Sequence, residues 1–292
     1  MSTDEERLRR PSPVRSLELG EFKLSYVPDG VVRLKPRGWL PGTTEQDWKD
    51  NAAFLDDTGN LVATIGALLV EYGERALLID AGLGPLSQPD DPDNPLIGAL
   101  GGGELLDNLA KLGRRPEEIE AVAFTHLHVD HIGWAWHPAP GSDRPAFSGA
   151  GYLLAEPEWN LRHLRNAPET TDEMLAALAP RVRTVREDEE IFPGVRVLPT
   201  PGHTSGHTTY TITSGDRRLI AFGDALHTAA QIRHPEWSAA ADLDSAESAV
   251  HRHRLVKELQ RPDTIGFGVH FADVVFGRVD DTADGPAWVP VA

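Results

Sequence analysis

Cysteine is absent from the 292-residue sequence, so no disulfide bond can form and cysteine gives no indication of the compartment. No apolar run is long enough to span a membrane. The N-terminal residues lack the apolar core of a signal peptide, and Arg9-Arg10 precedes Pro-Ser-Pro instead of an apolar stretch. These absences predict a cytoplasmic protein that does not associate with membranes.

Basic residues are also scarce. The chain has 28 Lys and Arg against 45 Asp and Glu, which gives a formal net charge of -17. Because nucleic-acid binding depends on Lys and Arg at the phosphates, this balance disfavours nucleic-acid partners. The hydrophobic content of 40% and charged content of 25% are typical of a globular protein. The oligomeric state is left open, and a homodimer fits the sequence as well as a monomer does.

The most informative segment that is present is Thr-His-Leu-His-Val-Asp-His at residues 125–131, which follows the apolar run 119–124. Residues two apart in an extended chain point the same way, so His126 and His128 can bind one cation. Asp130 and His131 follow where the strand ends and can turn toward a second cation. Imidazole and carboxylate suit zinc and similar divalent ions. The segment therefore predicts an open metal site.

Further candidate ligands follow other apolar runs. His203 lies in the Pro- and Gly-rich turn 199–207, after the run 195–198. Asp224 follows the run 218–223, and His270 follows 264–269. Because each candidate comes after a predicted strand, we expect the strand ends to converge on one edge of the sheets.

This pattern resembles the metallo-β-lactamase superfamily of hydrolases, whose signature is His-x-His-x-Asp-His followed by a Gly-His turn, an Asp and a late His. The resemblance spans about residues 60 to 275. Asp80, in Leu-Leu-Ile-Asp-Ala-Gly at 77–82, matches the family's early Asp-x-Gly element, which braces the metal loop. The resemblance implies an α/β fold of four layers, an αββα sandwich.

The resemblance also implies two divalent metal ions, with zinc expected and iron, manganese or cobalt as alternatives. The first metal would be held by His126, His128 and His203; the second by Asp130, His131 and His270; and Asp224 would bridge them. A hydroxide between the metals would attack an electrophilic carbonyl or phosphorus centre. His207 would orient His203 or its loop, with an ordinary turn residue as the alternative.

Departures from the pattern narrow the branch within the superfamily. Cysteine-type β-lactamases carry Cys where this chain has Asp224. Flavo-diiron oxidoreductases replace the second His with Glu, whereas this chain has His128. Glyoxalase II-like thioesterases have a C-terminal helical domain, but only a short tail follows His270. The remaining resemblance is to N-acyl-homoserine lactonases, which quench quorum sensing, and to methyl-parathion-type hydrolases.

The predicted function is therefore a metal-dependent hydrolase of the lactonase or esterase type, acting on a small-molecule lactone similar to an N-acyl-homoserine lactone. The alternatives are an aryl ester or organophosphate triester hydrolase of the same fold, and a non-catalytic metal-bound ligand-binding protein. Asp130 and His227 are the candidate catalytic residues. His227 stands where such lactonases often carry Tyr, and its imidazole could protonate the leaving alkoxide.

An apolar pocket is expected beside the metals, because several aromatic residues fall in loops near the predicted ligands. Such a pocket would suit an acyl chain or an aryl group, although ordinary core packing accounts for these residues as well. The residues are Trp39, Trp48, Trp134, Trp136 and Phe271.

The predicted organisation is a flexible arm over residues 1–16 followed by a single catalytic domain over residues 17–292, since a boundary between residues 126 and 270 would divide the site. Residues 17–35 are expected to form a strand or hairpin that turns at Pro28-Asp29-Gly30. Residues 84–103 are expected to be a long loop, and 244–259 an amphipathic helix capped by Asp244 or Ser245.

Overall fold

A computed structural model describes residues 3–164, 167 and 169–291. The strands are β1 (Arg15–Leu19), β2 (Phe22–Leu34), β3 (Leu61–Tyr72), β4 (Arg75–Ile79), β5 (Ser87–Gln88), β6 (Ile97–Gly101), β7 (Ala121–Ala123), β8 (Gly151–Ala155), β9 (Val182–Val185), β10 (Glu190–Phe192), β11 (Val195–Pro199), β12 (Thr208–Ser214), β13 (Arg217–Ala221), β14 (Thr264–Phe267), β15 (Phe276–Thr282) and β16 (Gly285–Pro290).

The α-helices are α1 (Asp4–Arg7), α2 (Pro36–Trp39), α3 (Glu45–Asp50), α4 (Leu105–Lys111), α5 (Val129–Trp136), α6 (Glu156–Asn160), α7 (Asp172–Leu178) and α8 (Ser245–Leu259). Short 3-10 helices lie at Ala52–Phe54, Pro116–Glu118, Arg162–Leu164, Ala179–Arg181, Gly223–Ala225 and Ala229–Ile232. Helix α8 begins after Asp244, whose carboxylate accepts hydrogen bonds from the backbone N–H groups of Ala246 and Glu247, as the sequence predicts.

The strands form two sheets that pack face to face. The first has the order β5-β6-β2-β3-β4-β7-β8-β9, with β1 paired to β2, and the second runs from β10 to β16 in chain order. A core of apolar side chains from both sheets fills the space between them, including Leu68, Ile79, Val197, Leu219 and Phe267. Each such side chain contributes about 1.5–3 kcal/mol of burial free energy, so this layer holds the sheets together.

Helices cover the outer faces of both sheets. Helices α4, α5 and α7 pack on the first sheet through Leu109, Ile132 and Leu178. Helix α8 packs on the second sheet, where Leu255 and Val256 lie in one cluster with β13 residues. The predicted αββα sandwich is therefore confirmed. Among the residues that the structure describes, none of the helices combines the length and the apolar character needed to cross a membrane.

Parallel pairing brings the ends of several strands to the same edge. In the first sheet, β7 runs parallel to β4 and β8, so the segment after β7 lies beside the segment after β4. In the second sheet, β13 and β14 are parallel. The carboxyl ends of all these strands meet at one edge of the sandwich, which is where the predicted ligands follow them.

The expected turn at residues 28–30 is wrong. Strand β2 runs through these residues with a shift in register between Pro28 and Gly30, and the chain reverses instead after Leu19. The side chain of Asp29 is fully buried and accepts hydrogen bonds from other segments. These contacts hold residues 28–30 inside the fold and not in a turn at the surface. The loop predicted over residues 84–103 also contains the short strands β5 and β6.

The N-terminal segment lies against the body of the domain in the part that is described. Arg10 and Arg15 each form two hydrogen bonds with the carboxylate of Asp273, which is fully buried. Arg7 donates to the backbone oxygen of the same residue. The flexibility of residues 1–16 stays a prediction of the sequence, and the structure adds these contacts to it.

Candidate metal centre

The seven predicted ligands lie together at the edge where the strands end. Thr125 follows β7 and leads to His126 and His128, while Asp130 and His131 occupy the first turn of α5. The second sheet contributes the other three ligands from the segments after β11, β13 and β14: His203, Asp224 and His270. All seven are side chains that metals prefer, and they form two groups of close donor atoms.

The first group consists of His126, His128, His203 and Asp224. The Nε2 atom of His203 lies 3.0 Å from Nδ1 of His128 and 3.3 Å from Oδ2 of Asp224. Nε2 of His126 lies 3.7 Å from the same carboxylate oxygen. Two ligands of one tetrahedral zinc with bonds near 2.0–2.1 Å would stand about 3.3 Å apart, so these separations fit a single cation.

The second group consists of Asp130, His131 and His270. Oδ2 of Asp130 lies 3.7 Å from Nε2 of His131 and 3.8 Å from Nε2 of His270. The other oxygen of Asp224, Oδ1, lies 3.1 Å and 3.0 Å from the same two nitrogens. Asp224 therefore turns Oδ2 to the first group and Oδ1 to the second, which is the geometry of a bridging carboxylate.

Buried atoms without hydrogen-bond partners indicate that these two groups of side chains fit cations. Nε2 of His126, Nε2 of His131 and Oδ1 of Asp224 are buried and form no hydrogen bond with any described residue. A buried polar atom without a partner costs about 1–3 kcal/mol of folding free energy, so three such atoms close together would destabilise the fold if no cation bound them. Their lone pairs suit a divalent cation, and the donor set of imidazoles and carboxylates is one that zinc accepts.

The charge of Asp224 also favours the binding of a cation at the site. Burial raises the pKa of Asp224, but the surrounding His131, His270 and His126 outweigh it and hold that pKa well below its usual value. Burial lowers the pKa of His126 and of His128 well below the usual value, which keeps these rings neutral. Burial also lowers the pKa of His131, His203 and His270, but Asp224 and other nearby carboxylates outweigh it and raise these pKa values. These three rings must therefore release a proton when a cation binds.

The far nitrogen of several ligand rings is fixed by a hydrogen bond. Nδ1 of His131 lies 2.9 Å from Oδ2 of Asp80, and Nδ1 of His270 lies 2.7 Å from the backbone oxygen of Thr64. These contacts place Nε2 toward the metal groups. Asp80 also accepts a 2.8 Å hydrogen bond from the backbone N–H of Thr125, so it holds the loop that begins the metal motif.

His207 has a more specific position than the sequence indicated. Its Nε2 accepts a 3.0 Å hydrogen bond from the backbone N–H of Asp224, and its Nδ1 lies 2.9 Å from Oγ1 of Thr200. Burial lowers the pKa of His207 to about 3, which keeps the ring in the neutral form that can accept. His207 thus contacts Asp224, whereas the resemblance implied that it orients His203 or its loop, with an ordinary turn residue as the alternative.

His227 lies within the same cluster. Its Nε2 atom is 3.3 Å from Oδ2 of Asp224, and its ring stacks on that of His270 with centroids 5.9 Å apart. Both ring nitrogens are buried and form no hydrogen bond with a described residue. The structure therefore brings the candidate catalytic residue to the bridging carboxylate with an imidazole nitrogen still free to act.

The predicted aromatic pocket is only partly present. Trp48, Trp134 and Phe271 are buried in the cores. Trp39 is half-buried, and its ring meets that of His227 edge-on at 5.2 Å. Trp39 is therefore the member of this set that the structure places at the site. Trp48, Trp134 and Phe271 pack as ordinary core residues do, and the half-buried Trp136 packs against the same core cluster as Trp134.

Sequence reasoning missed two buried carboxylates that contact the metal loops. Asp242 accepts from Nδ1 of His203, and Glu158 accepts from the backbone N–H groups of Leu127 and Gly206. Glu158 lies in α6, which begins directly after β8, and Asp242 lies in the loop before α8, but neither belongs to a recognisable motif that would mark it in the sequence. Only the folded chain shows that they lie beside the ligands.

A family model described as the metallo-beta-lactamase superfamily matches residues 66–268, so the chain belongs to this superfamily. Similar curated proteins include an N-acyl homoserine lactonase of Bacillus cereus, 25% identical over 218 residues that cover 70% of this chain and 81% of that protein. An N-acyl homoserine lactonase of a Bacillus species is 26% identical over 208 residues, which cover 66% of this chain and 76% of its own.

Two solved structures share the fold over almost the whole chain. One is described as AidC, a dizinc quorum-quenching lactonase in complex with a product, with a TM-score of 0.80, 23% identity and coverage of 96% and 98% of the two chains. The other is a hydrolase of the beta lactamase superfamily called AbOPH, with a TM-score of 0.80, 21% identity and coverage of 97% and 99%. Together with the family match, the relatives support the prediction of a metal-dependent hydrolase.

Proposed function

We propose that this protein hydrolyses the ester bond of a lactone, with an N-acyl-homoserine lactone as substrate. The observation that carries the proposal is the carboxylate of Asp224, which stands between two groups of metal-ligating side chains. Similarity to proteins named N-acyl homoserine lactonases supports the substrate class. We propose that residues 17–292 act as one catalytic domain, because both sheets contribute to the site.

The residues that would hold the cations are those predicted from the sequence. His126, His128 and His203 would bind the first, Asp130, His131 and His270 the second, and Asp224 both, with zinc as the proposed metal. When bound, the two cations supply an activated water molecule and polarise the scissile carbonyl group. The protein fixes the positions of these ligands through hydrogen bonds to the far nitrogens of their rings.

The more exposed side of the centre supports a proposed direction of approach for the substrate. The side chain of Asp130 is 24% exposed, whereas those of His131 and Asp224 are at most 5% exposed. His128 and Val129 are likewise half-buried. The proposed approach for the substrate is therefore across residues 128–130.

His227 has the proposed role of a proton donor. Hydrolysis breaks the bond between the carbonyl carbon and the ring oxygen, and that oxygen must gain a proton to leave as an alcohol. Burial lowers the pKa of His227, so its ring is neutral and carries one N–H. This N–H passes its proton to the leaving oxygen as the other ring nitrogen takes up a proton from the attacking water, so that the ring stays neutral and the new carboxylate keeps the water's oxygen.

An aryl ester or an organophosphate triester is the second candidate substrate. The edge-on contact between Trp39 and His227 favours it, because an indole ring beside the proton donor offers an aromatic group a stacking surface. The alternative from another class is a metal-bound protein that binds its ligand without turnover.

The test is an assay of zinc-loaded protein on short- and long-chain acyl-homoserine lactones, an aryl ester, a phosphotriester and a β-lactam, against a chelated control. Lactone opening that chelation abolishes supports the proposal, and His227→Phe should then reduce kcat more than His227→Tyr, which keeps a donor. Turnover of the aryl ester or phosphotriester alone would favour the second candidate. Asp224→Ala should lose turnover and keep its circular dichroism spectrum.

If the protein binds two metals and a lactone but forms no product, the non-catalytic alternative replaces the proposal. A protein that binds no metal at all would contradict every version of it. These outcomes are separated by measuring metal content, ligand binding and product in the same preparation.

A further inference from the structure

A buried ion pair stands directly behind His203. Nδ1 of His203 lies 2.9 Å from Oδ1 of Asp242, and Oδ2 of Asp242 accepts a 3.0 Å hydrogen bond from Nη1 of Arg252. Both side chains of the ion pair are 0% exposed. A fully buried arginine is rare, since removing its charge from water is costly. Packing alone therefore does not account for its position.

Arg252 is held so that it can face Asp242 in only one way. Its Nε donates a 2.8 Å hydrogen bond to the backbone oxygen of Pro235, and its Nη2 hydrogen bonds to Oγ of Ser238. The planar guanidinium cannot rotate without breaking these contacts. Oδ2 of Asp242 also accepts from the backbone N–H of Ala239 at 3.1 Å. Two fixed donors thus occupy one oxygen of Asp242.

The other oxygen of Asp242 can then meet His203 only as an acceptor. A neutral imidazole whose Nδ1 faces an acceptor carries its single proton there, which leaves Nε2 with a lone pair. Nε2 of His203 is the nitrogen that faces His128 and Asp224. A metal needs a lone pair on this atom, so the proton must be kept on the far side of the ring.

We propose that Arg252 and Asp242 are positioning residues that fix the tautomer and the orientation of His203, and thereby make the first metal site competent to bind. This inference rests on the metal site of the proposed function. The guanidinium orients the carboxylate, and the carboxylate orients the imidazole. The inference is therefore tested by changing the group that faces Nδ1 of His203, and the loss of the negative charge of Asp242 is not by itself the test.

Asp242→Asn tests this inference because the amide has one acceptor and one donor. Arg252 and Ala239 both donate, so the amide oxygen must turn to them, and its NH₂ then faces Nδ1 of His203. The ring proton is displaced to Nε2, where the cation should bind. We expect the variant to bind one zinc per chain where the wild type binds two, with the first-site affinity lowered about 10–100-fold.

A second variant distinguishes positioning from a merely structural role. In Asp242→Asn/Arg252→Met the guanidinium is gone, and only the backbone N–H of Ala239 still holds the amide oxygen on that side, so this oxygen faces His203 in a larger share of the molecules. The double variant should therefore bind zinc at the first site more tightly than Asp242→Asn does, and so recover part of the lost affinity. If both residues only stabilise the fold, the double variant should bind metal no better than Asp242→Asn.

The measurements are zinc per chain after gel filtration and the visible absorption spectrum of the cobalt-substituted protein, which reports the ligands of each site without any assay of turnover. Glu71→Gln is the matched control, because Glu71 also forms a largely buried ion pair with an arginine, Arg114. Glu71 lies near the end of β3, away from Thr64, which is the residue of this strand that contacts the ligand His270. The Glu71→Gln variant should bind two metals.

Asp242→Asn with two metals at wild-type affinity would overturn the inference, and so would a double variant without recovery. Urea unfolding of each variant identifies a loss of metal that comes from unfolding. A wild-type protein that binds no zinc would instead contradict the proposed function itself.

Discussion

Asp29 provides the most stringent test of how buried polar groups hold this fold together. Its carboxylate is fully buried and accepts five hydrogen bonds. Oδ2 accepts from the backbone N–H groups of Leu83 and Gly84 at 2.7 and 2.9 Å. Oδ1 accepts from three further donors, the N–H groups of Gly103 and Leu105 and Nε1 of Trp134, at 3.1, 2.8 and 2.8 Å.

The magnitude of the effect follows from this geometry. In Asp29→Asn the amide oxygen can satisfy the three donors on one side, and its NH₂ then faces the two N–H groups of Leu83 and Gly84. Each unsatisfied buried donor costs about 1–3 kcal/mol, so the variant should lose about 2–6 kcal/mol of unfolding free energy. A water molecule has little room to compensate, since a Cβ on Gly82 would already lie 2.5 Å from Oδ2 of Asp29.

The assay is urea unfolding followed by circular dichroism, with the zinc concentration fixed and the exposed Asp57→Asn as control. The control should change the unfolding free energy by less than about 0.5 kcal/mol. Because the usual stability of a domain is about 5–15 kcal/mol, Asp29→Asn should shift the midpoint clearly. A loss below about 1 kcal/mol would refute the reasoning that these five donors depend on one carboxylate.

Three further perturbations have defined outcomes. Asp80→Ala removes the partner of His131 Nδ1, so zinc affinity at the second site should fall about 10–100-fold in a competition titration, and unchanged affinity would contradict that role. Gly206→Ala places a Cβ in steric conflict with the backbone nitrogen of Glu158, so it should cost about 1–3 kcal/mol or more in urea unfolding, whereas an unchanged midpoint would be inconsistent with this contact. Burial raises the pKa of Asp242, but the hydrogen bond and charge of His203 outweigh it and lower it to about 2 from 3.8. In chelated protein this lowered pKa stabilises the folded state by roughly 2 kcal/mol above about pH 4, and this stabilisation is lost as the pH falls toward about 2. In Asp242→Asn the free energy of unfolding should therefore depend less on pH over this range, and an unchanged pH dependence would contradict the assignment.

Much of the site could be predicted because its chemistry is concentrated in rare residue types. Packing alone seldom places several histidines and aspartates directly after apolar runs, and strand ends converge whenever the strands are parallel. The structure brings together all the predicted donors, from His126 to His270. The helix beginning after Asp244 was predictable for a similar reason, since its capping interaction is local in sequence.

The parts that sequence reasoning missed depend on contacts between distant segments. Pro28-Asp29-Gly30 has the composition of a turn, but five donors from residues 83–134 hold Asp29 inside a strand. Asp242 and Arg252 have no motif, and only the packing of α8 brings them to His203. Local propensity is a weak guide when tertiary hydrogen bonds compete with it.

The donor atoms of the centre come from both sheets, and this has a mechanical consequence. His126, His128, Asp130 and His131 belong to the first sheet and its helix, whereas His203, Asp224 and His270 extend from the second. A cation bound between them would be a cross-link between the two layers, and Asp224 would take part in both cross-links. With cations bound at the proposed centre, the two layers would separate at this edge only with the release of metal. After removal of the cations by a chelator, this edge would be the first place at which the two layers open.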